Sequence, residues 1–312
     1  MKIRRIFSVF LLSVLLTTLF LTPQAYALEE PTLDARNALL MDETNGRMLY
    51  GKAEKEKAYP ASITKVMTAL LVLEAVDRGD LSVSQPITAS YEAANSIDED
   101  SSTAGIEEGE VLTVEQLLYC LLVVSANEAA NILAEAVSGS VTDFVALMNQ
   151  RAAELGCEGT HFANTNGLPD PDHYTTAWDI YLIAREAMKH DDFMTIVNTK
   201  SYEIPPTNKT EDERVLHSTN ALISNWRMLG YLYDYADGLK TGFTDEAGYC
   251  LVASALKDGR NGLPEKYSGD GVHPNPECYK IMEAIVLPVI DKKPAKKVAV
   301  RTGGAKKHSW DR

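Results

Sequence analysis

A serine and a lysine stand three residues apart in the segment Tyr59-Pro60-Ala61-Ser62-Ile63-Thr64-Lys65. Pro60 disfavours helix at the residue before it, so a helix is expected to begin just after it, with Ser62 in its first turn. Lys65 then shares a face with Ser62. Because the helix dipole and burial both disfavour a cation there, Lys65 is a candidate base for a Ser62 nucleophile. The alternative is a helix cap followed by a surface lysine.

Two polar residues interrupt a long apolar region further along the chain. Ser125 and Asn127 lie between the apolar segment 117–124 and a second helical stretch at 129–137. A buried hydroxyl and a buried amide both need partners, so such residues are unusual between apolar helices. They form either a helix–helix turn or a pair of polar groups that point into a cleft.

A third motif, Lys240-Thr241-Gly242-Phe243, stands in an alternating segment that predicts a strand. Residues 249–256 are strongly β-prone and predict its partner after a turn at Gly248. Gly242 permits close approach of another chain or a ligand to the backbone. Lys240 either faces such a ligand or is an exposed edge lysine that discourages aggregation.

The three motifs are weak one by one and much stronger together. Ser-x-Asn follows Ser-x-x-Lys by 60 residues, and Lys-Thr-Gly follows after a further 113. This trio occurs in penicillin-binding proteins and class A β-lactamases. From Ala35 to Asp258 the sequence resembles the low-molecular-weight serine D-alanyl-D-alanine carboxypeptidases. The resemblance rests on the segments 59–65, 125–130, 166–168, 174–177 and 237–244 and on Asn220.

The resemblance implies how the reaction would proceed. Ser62 would attack the peptide carbonyl, and Lys65 would accept the serine proton. Ser125 would relay a proton towards the leaving D-alanine. The backbone N–H groups of Ser62 and Phe243 are the expected oxyanion donors. No metal or other cofactor is implied.

The resemblance also implies a substrate-binding set. Asn127 would hydrogen-bond the substrate amide, while Lys240 and Thr241 would hold its terminal carboxylate. The implied set is Asn127, Lys240, Thr241, Gly242 and Phe243.

The implied function is removal of the terminal D-alanine from peptidoglycan stem peptides through an acyl-enzyme on Ser62, with β-lactams as covalent inhibitors. The closest rival is a β-lactamase, which needs a well-placed carboxylate for fast deacylation. No Glu-x-x-Leu-Asn occurs between Asn127 and Lys240, so the carboxypeptidase is favoured. A non-enzymatic alternative is an impaired penicillin-binding module that binds wall peptides without turning them over.

The fold implied by the resemblance is an α/β (α+β) fold of the β-lactamase/transpeptidase type. Its mostly antiparallel sheet is flanked by helices, and a helical subdomain carries Ser125. Periodicity predicts a buried central helix after Pro60, and Asn45-Gly46 between apolar runs predicts a hairpin. Further helices are predicted after a capping box at 113–116 and over 144–155 and 175–188, whereas the acidic stretch 91–110 is interpreted as a solvated loop.

The first 27 residues have the features of a signal peptide. A basic start precedes an apolar run over 6–21 and a small-x-small cleavage site at 25–27. The run is short for a membrane span, and no second run follows. An exported, extracytoplasmic protein without a clear membrane anchor is therefore expected, and an uncleaved anchor is the alternative.

Composition limits the partners and the role of the cysteines. The net charge is -14, or -17 without the signal segment (27 basic against 44 acidic residues), which argues against binding of nucleic acid or anionic lipid. The four cysteines, Cys120, Cys157, Cys250 and Cys278, match no zinc pattern. Cys120 and Cys250 stand in apolar segments, which favours free, buried thiols.

The resemblance ends near residue 260. The family has a central strand next, but residues 261–265 carry no strand signal. Residues 267–290 instead resemble the final block of SGNH (GDSL-like) esterases, whose Asp-x-x-His pair falls on Asp270 and His273, although no Gly-Asp-Ser block occurs. The expected division is a signal peptide at 1–27, a catalytic domain at 28–260 and an atypical tail at 261–312.

Three accounts of the tail remain open. It is a junction of two genes, a true variant in which segment 298–300 replaces the strand, or a source of a catalytic His273. The first is favoured because the esterase-like block is specific and the expected strand is absent. Loss of a central strand would leave neighbouring backbone groups unpaired and weaken the domain.

Overall fold

A computed structural model of the chain describes residues 33–98 and 100–255. Its strands pair in antiparallel ladders and its helices pack around one buried helix, which confirms the α/β fold. The strands are β1 (Ala38–Asp42), β2 (Arg47–Lys52), β3 (Pro86–Thr88), β4 (Val111–Thr113), β5 (Ser201–Ile204), β6 (Arg214–His217), β7 (Lys240–Thr244) and β8 (Gly248–Val252). The helices are α1 (Lys65–Asp77), α2 (Tyr91–Asn95), α3 (Val114–Val123), α4 (Asn127–Ser138), α5 (Val141–Glu154), α6 (Ala177–Ala187) and α7 (Asp191–Val197).

The central helix is α1, as predicted. Ten of its 13 residues are buried, because apolar side chains occupy nearly its whole circumference. A helix that is apolar all round must be covered on all sides, and α3, α4, α5, α6 and α7 pack against it. A single 3-10 turn, Ala61–Thr64, precedes α1 and carries Ser62. The helix is thus a rigid base for the residues at its N-terminal end.

The predicted hairpins form. Gly46 has a φ of +67° in the β1–β2 turn, where Asp42 accepts a hydrogen bond from the Thr44 amide at 2.9 Å. Strands β7 and β8 pair in register from Lys240 opposite Val252 to Thr244 opposite Gly248. Within the described ranges the strands form four separate two-stranded ladders, so no ladder there joins β1–β2 to β7–β8.

The helix boundaries follow local capping signals. Thr113 and Gln116 form the predicted capping box of α3, with reciprocal bonds of 3.2 and 2.8 Å. Helices α5 and α6 confirm the helices predicted over 144–155 and 175–188 within a few residues. The interpretation of 91–110 as a loop was wrong at its start, because Ser90 caps the short helix α2 by accepting a bond from the Ala93 amide at 3.0 Å.

The far end of the same acidic stretch is buried rather than solvated. The Glu110 carboxylate is 1 % exposed and accepts bonds from Arg214 Nη2 at 2.9 Å and from Thr207 Oγ1 at 2.8 Å. Each of these partners offsets the desolvation of a buried charge. This ion pair ties the segment before β4 to the start of β6.

Three cysteines are free thiols, as predicted for Cys120 and Cys250. Burial raises the pKa of the Cys250 thiol to about 11 and that of Cys157 to about 12, so both stay protonated near neutral pH. The signal segment 1–27, Cys278 and the whole tail 261–312, with Asp270 and His273, lie outside the described residues.

Between residues 33 and 255, no single described helix is long and apolar enough to cross a membrane. Helices α4 and α5 meet the length and composition of a span only as a pair, and they are bent by 84° where they join.

Candidate active site

The structure brings the three motifs together at the N-terminal end of α1. Lys65 Nζ lies 2.9 Å from Ser62 Oγ and 2.7 Å from Asn127 Oδ1. Strand β7 runs along the 3-10 turn, and a Cβ placed on Gly242 would sit 2.9 Å from the Ser62 amide nitrogen. Residues of the first, second and third motifs therefore lie side by side, although they are far apart in sequence.

Lys65 is surrounded by three oxygens. Besides Ser62 Oγ and Asn127 Oδ1, its amine lies 2.7 Å from the backbone carbonyl oxygen of Asn166. The side chain is fully buried, so its amine relies on these contacts rather than on solvent for hydrogen bonds. The interpretation of Lys65 as a surface lysine is thereby wrong.

The pKa of Lys65 lies well below the ordinary lysine value. Burial is the largest cause, since it penalises the ammonium form, and repulsion by Lys240 adds to it. The Glu128 carboxylate acts in the opposite direction. A deprotonated amine is thus available beside Ser62 at a far lower pH than an exposed lysine would allow.

Ser125 and Asn127 form the turn between α3 and α4. Ser125 has a φ of +67° and is buried, and its hydroxyl has no hydrogen-bond partner among the described residues. Asn127 begins α4, and its backbone N–H donates to the Ser102 carbonyl at 2.9 Å. The pair lies at the predicted helix–helix turn, and the Asn127 side chain is directed at Lys65.

Lys240 is buried at the start of β7, which excludes an exposed edge lysine. Its ammonium donates to the Thr241 carbonyl at 2.8 Å. The hydroxyl oxygens of Thr241 and Thr219 lie 2.7 Å apart. Burial, followed by repulsion from Arg227, lowers the pKa of Lys240 to about 7. Lys240 therefore changes charge near neutral pH.

Strained backbone concentrates next to the site. Ala61, Ser125 and Leu239 have φ values of +48°, +67° and +89°, a region that L-residues adopt at a cost. Ala61 directly precedes Ser62, and Leu239 directly precedes Lys240. The strain therefore falls where the backbone must turn the reactive side chains into the cleft.

The loop that carries Asn166 packs tightly against the 3-10 turn. Gly167 has a φ of +90°, and a Cβ there would lie 1.8 Å from the Ala61 carbonyl oxygen. Thr165 is linked to both neighbouring helices: its hydroxyl donates to Asn131 Oδ1 at 2.6 Å, and its carbonyl accepts from Thr68 Oγ1 at 2.6 Å. These contacts fix the carbonyl that faces Lys65.

Phe243 and Asn220 occupy different parts of the same region. Phe243 is 42 % exposed at the cleft, and its ring packs against Tyr249 at 4.6 Å. Asn220 is buried, and its side-chain oxygen accepts from the Leu222 amide at 2.9 Å. Phe243 is thus open to a ligand, whereas Asn220 shapes the loop after β6.

Sequence reasoning missed two buried polar residues near the site. His173 Nε2 lies 2.7 Å from Thr64 Oγ1, while its Nδ1 accepts from the Ala163 amide at 3.0 Å. Glu128 is fully buried directly after Asn127. Its position among alanines in 126–130 was a usable signal, since a solvent-facing carboxylate rarely sits in an apolar run. No sequence signal predicts the contact between His173 and Thr64.

In the part of the chain that the structure describes, no group of three or more His, Cys, Asp or Glu side chains is placed to hold a metal ion. The chemistry available at the cleft is that of a serine, a buried lysine, a second hydroxyl and a second lysine. Such a set can carry out acyl transfer, because it holds a nucleophile, a base and groups that bind a carboxylate.

Comparison with known proteins finds a family of peptidases that the chain matches over most of its length. The family model described as D-alanyl-D-alanine carboxypeptidase (Peptidase S11) matches residues 24–262. The chain is 36% identical over 260 residues to the D-alanyl-D-alanine carboxypeptidase DacF of Bacillus subtilis (strain 168), covering 81% of this chain and 63% of that protein. It is 33% identical to DacC of Escherichia coli (strain K12), covering 75% of this chain and 58% of that protein. The chain thus spans less than two thirds of these two relatives.

A solved structure has a similar fold. The crystal structure of the Streptomyces K15 DD-transpeptidase superposes with a TM-score of 0.68 at 30% sequence identity, over 83% of this chain and 98% of that chain. The D-alanyl-D-alanine carboxypeptidase of Streptomyces sp. (strain K15) is 35% identical over 257 residues, covering 78% of this chain and 83% of that protein.

Proposed function

The chain belongs to the D-alanyl-D-alanine carboxypeptidase family (Peptidase S11), and we propose that it removes the terminal D-alanine from peptidoglycan stem peptides through an acyl-enzyme on Ser62. The observation that carries the proposal is the coordination of Lys65. A neutral amine has two N–H bonds and one lone pair. Asn127 Oδ1 and the Asn166 carbonyl can only accept, so they take the two N–H bonds. The lone pair is left to face the Ser62 hydroxyl at 2.9 Å.

Acylation then follows from this geometry. The Ser62 O–H bond breaks as its proton passes to Lys65, and a new bond forms between Ser62 Oγ and the substrate carbonyl carbon. The oxyanion that results is expected to bind the backbone N–H groups of Ser62 and Phe243. The closeness of Gly242 to the Ser62 amide supports this pairing.

Departure of D-alanine requires a proton on its nitrogen. Collapse of the oxyanion breaks the peptide C–N bond, and the proton held by Lys65 passes to the leaving amine through Ser125. The unpartnered Ser125 hydroxyl supports this role, because it is free to donate and accept in the cleft. A water molecule then attacks the ester, returns a proton to Ser62 and releases the shortened peptide.

Substrate binding would use the remaining motif residues. Lys240 and Thr241 would hold the terminal carboxylate, Asn127 the substrate amide, and Gly242 and Phe243 would border the bound peptide. The buried position of Lys240 supports this, since a desolvated ammonium interacts strongly with a carboxylate. β-Lactams would acylate Ser62 as mimics of the substrate.

A β-lactamase is the rival function. It would need a carboxylate that activates water at the acyl-enzyme. Within the described residues, no carboxylate is hydrogen-bonded to Ser62, Lys65 or Ser125. The one acidic side chain beside the motif, Glu128, directs an oxygen to segment 103–106 instead. Slow release of a β-lactam is therefore expected.

Export and domain organisation belong to the same proposal. Action on stem peptides requires an extracytoplasmic location, which fits a signal peptide at 1–27 and a catalytic domain at 28–260. The tail 261–312 is proposed to be foreign to the enzyme, and sequencing of the gene region for residues 259–268 would test whether a junction lies there.

Three assays test the function together. Fluorescent penicillin is expected to label wild type stably and to leave Ser62→Ala unlabelled. The wild type should release D-alanine from an acylated peptide that ends in D-Ala-D-Ala. A folded wild type that binds no penicillin would instead favour the impaired wall-peptide-binding module, and rapid nitrocefin turnover would favour the β-lactamase.

A further inference from the structure

Glu128 is a buried carboxylate that the mechanism above does not use. It stands in the first turn of α4, directly after Asn127, and none of its surface is exposed. One oxygen, Oε1, accepts from Thr103 Oγ1 and the Ala104 amide, both at 2.7 Å, and from the Ile106 amide at 3.4 Å. An ionised carboxylate only accepts hydrogen bonds, so three donors around one of its oxygens suit the charged form of Glu128.

The second oxygen, Oε2, is also buried and has no hydrogen-bond partner among the described residues. A buried charged oxygen without a donor is costly and calls for a compensating charge nearby. Lys65 supplies that charge when it is protonated, since the Glu128 carboxylate raises the pKa of Lys65 while burial and Lys240 lower it. Glu128 directly follows Asn127 in the first turn of α4, and the Asn127 side chain is bonded to Lys65.

The charge balance of the cleft changes during the proposed reaction. Before attack Lys65 is neutral, and after attack it carries the proton of Ser62. Lys240, when protonated, repels this new ammonium, and both lysines are buried. Glu128 is the carboxylate whose charge opposes that repulsion.

We infer that Glu128 is a positioning residue for acyl transfer: its carboxylate stabilises the Lys65 ammonium that forms when Ser62 loses its proton. By accepting bonds from Thr103 and Ala104 it also ties this segment to the start of α4, where the Asn127 backbone amide is bonded to the Ser102 carbonyl. The inference rests on the proposed function, because it assigns the charge of Glu128 to the same proton transfer.

Among residues 33–98 and 100–255, few charged groups face this pair. Lys240 approaches Lys65 from β7, Glu128 from α4, and His173 from the segment before α6. Ser62, Asn127 and the Asn166 carbonyl are neutral. Glu128 is faced by Lys65 and by Cys120 of α3. The direction of a pH effect can therefore be assigned to Glu128.

Glu128→Gln is the principal test, because it keeps the acceptor for segment 103–106 and removes the charge. The readout is the second-order rate of Ser62 acylation by benzylpenicillin as a function of pH. The acid limb of this profile is the pH range in which the rate falls because Lys65 becomes protonated. It is expected to move to lower pH by about one unit, since loss of the Glu128 charge lowers the pKa of Lys65. The plateau is expected to fall about threefold, because a weaker base accepts the proton.

Thr103→Val is the matched control. It removes one donor to Glu128 and leaves the charge, so a purely structural role predicts a slower rate in both variants with the acid limb unmoved. The inference predicts a moved limb in Glu128→Gln alone. An acid limb at the wild-type pH in folded Glu128→Gln overturns it.

A second variant covers failure of Glu128→Gln to fold. Thr103 is exposed, so Thr103→Lys places an ammonium beside Oε1 without filling the core. The acid limb should then move in the same direction, and an unmoved limb overturns the inference. Wild type that is not acylated at Ser62 refutes the proposed function itself, whereas normal wild-type acylation with an unmoved limb refutes only the role of Glu128.

Discussion

The side-chain oxygen of Asn127 lies 2.7 Å from Nζ of Lys65, so the middle motif is bonded to the candidate base. This contact takes one of the two N–H bonds of a neutral amine. A substrate amide that engages Asn127 would therefore share this side chain with Lys65, and binding and proton transfer would be coupled through one residue.

Asn127→Asp tests the neutral state of Lys65. A carboxylate at this distance favours the ammonium and is expected to raise the pKa of Lys65 by about one to three units. The acid limb of Ser62 acylation should move to higher pH, opposite to Glu128→Gln, and the rate at pH 7 should fall at least about tenfold. Stopped-flow acylation with a β-lactam measures both. An acid limb that moves down or stays in place would contradict a neutral Lys65.

Gly242→Ala tests the contact between β7 and the 3-10 turn. The added Cβ would meet the Ser62 amide nitrogen at 2.9 Å and the Ala61 Cβ at 3.1 Å, so the turn and the strand must separate. Because small displacements of a nucleophile are costly, acylation is expected to slow about 10²-fold. The penicillin-labelling rate measures this.

Gly46→Ala is the control for that experiment. Gly46 has a φ of +67° with open space around it, in a hairpin turn outside the three motifs. The substitution should lower the free energy of unfolding by about 1 kcal/mol and leave the acylation rate unchanged. Equal acylation rates in Gly242→Ala and wild type would show that β7 does not position Ser62.

Arg227→Gln tests the charge state of Lys240. The pKa of Lys240 is about 7, lowered first by burial and then by Arg227, so its ammonium is lost as the pH rises above neutrality. KM for a D-Ala-D-Ala peptide should therefore increase above pH 7. Without Arg227 the pKa of Lys240 rises, so the increase in KM is expected to begin at a pH about half a unit higher.

Arg78→Gln is the matched control, since Arg78 caps the opposite end of α1 from Lys65 and is exposed. Its KM profile should equal that of wild type. A KM profile in Arg227→Gln that also equals wild type would exclude Lys240 as the carboxylate-binding cation.

His173→Gln tests a structural role. Burial lowers the pKa of His173 to about 4, whereas a histidine in the unfolded chain titrates near 6.5. Between these values the unfolded chain binds a proton that the folded protein does not, so stability falls as the pH drops from about 6.5 to 4. The variant should lose about 1–3 kcal/mol at pH 7, because Thr64 and the Ala163 amide lose a partner. On acidification from pH 7 to pH 5, the free energy of unfolding of the variant should fall by less than that of wild type.

Urea unfolding at pH 7 and pH 5 measures both effects. Gly46→Ala, which changes no titratable group and lowers stability in a hairpin turn, serves as the control and should keep the wild-type pH dependence. A wild-type pH dependence in His173→Gln would show that His173 does not account for the acid sensitivity.

Much of the fold could be predicted because its signals are local. Helix α1, the capping box of α3 and the Asn-Gly hairpin each depend on residues within a few positions of one another. Helix α2 was missed because its short apolar content is masked by acidic neighbours, although Ser90 and Glu92 supply a cap and a favourable first-turn charge. The burial of Glu110 could not be predicted, since its partner Arg214 comes 104 residues later.

From the sequence alone, the order and spacing of Ser62, Lys65, Ser125, Asn127 and Lys240 determined the class of chemistry. Each motif is short, and its side chains carry the signal. Only the tertiary structure decided how Lys65 is coordinated. The Asn166 carbonyl that completes its surroundings lies 101 residues away, and a backbone oxygen leaves no trace in the residue types. Burial likewise decided the pKa of Lys65, because desolvation depends on the helices packed around α1 and not on the neighbours of Lys65 in the chain.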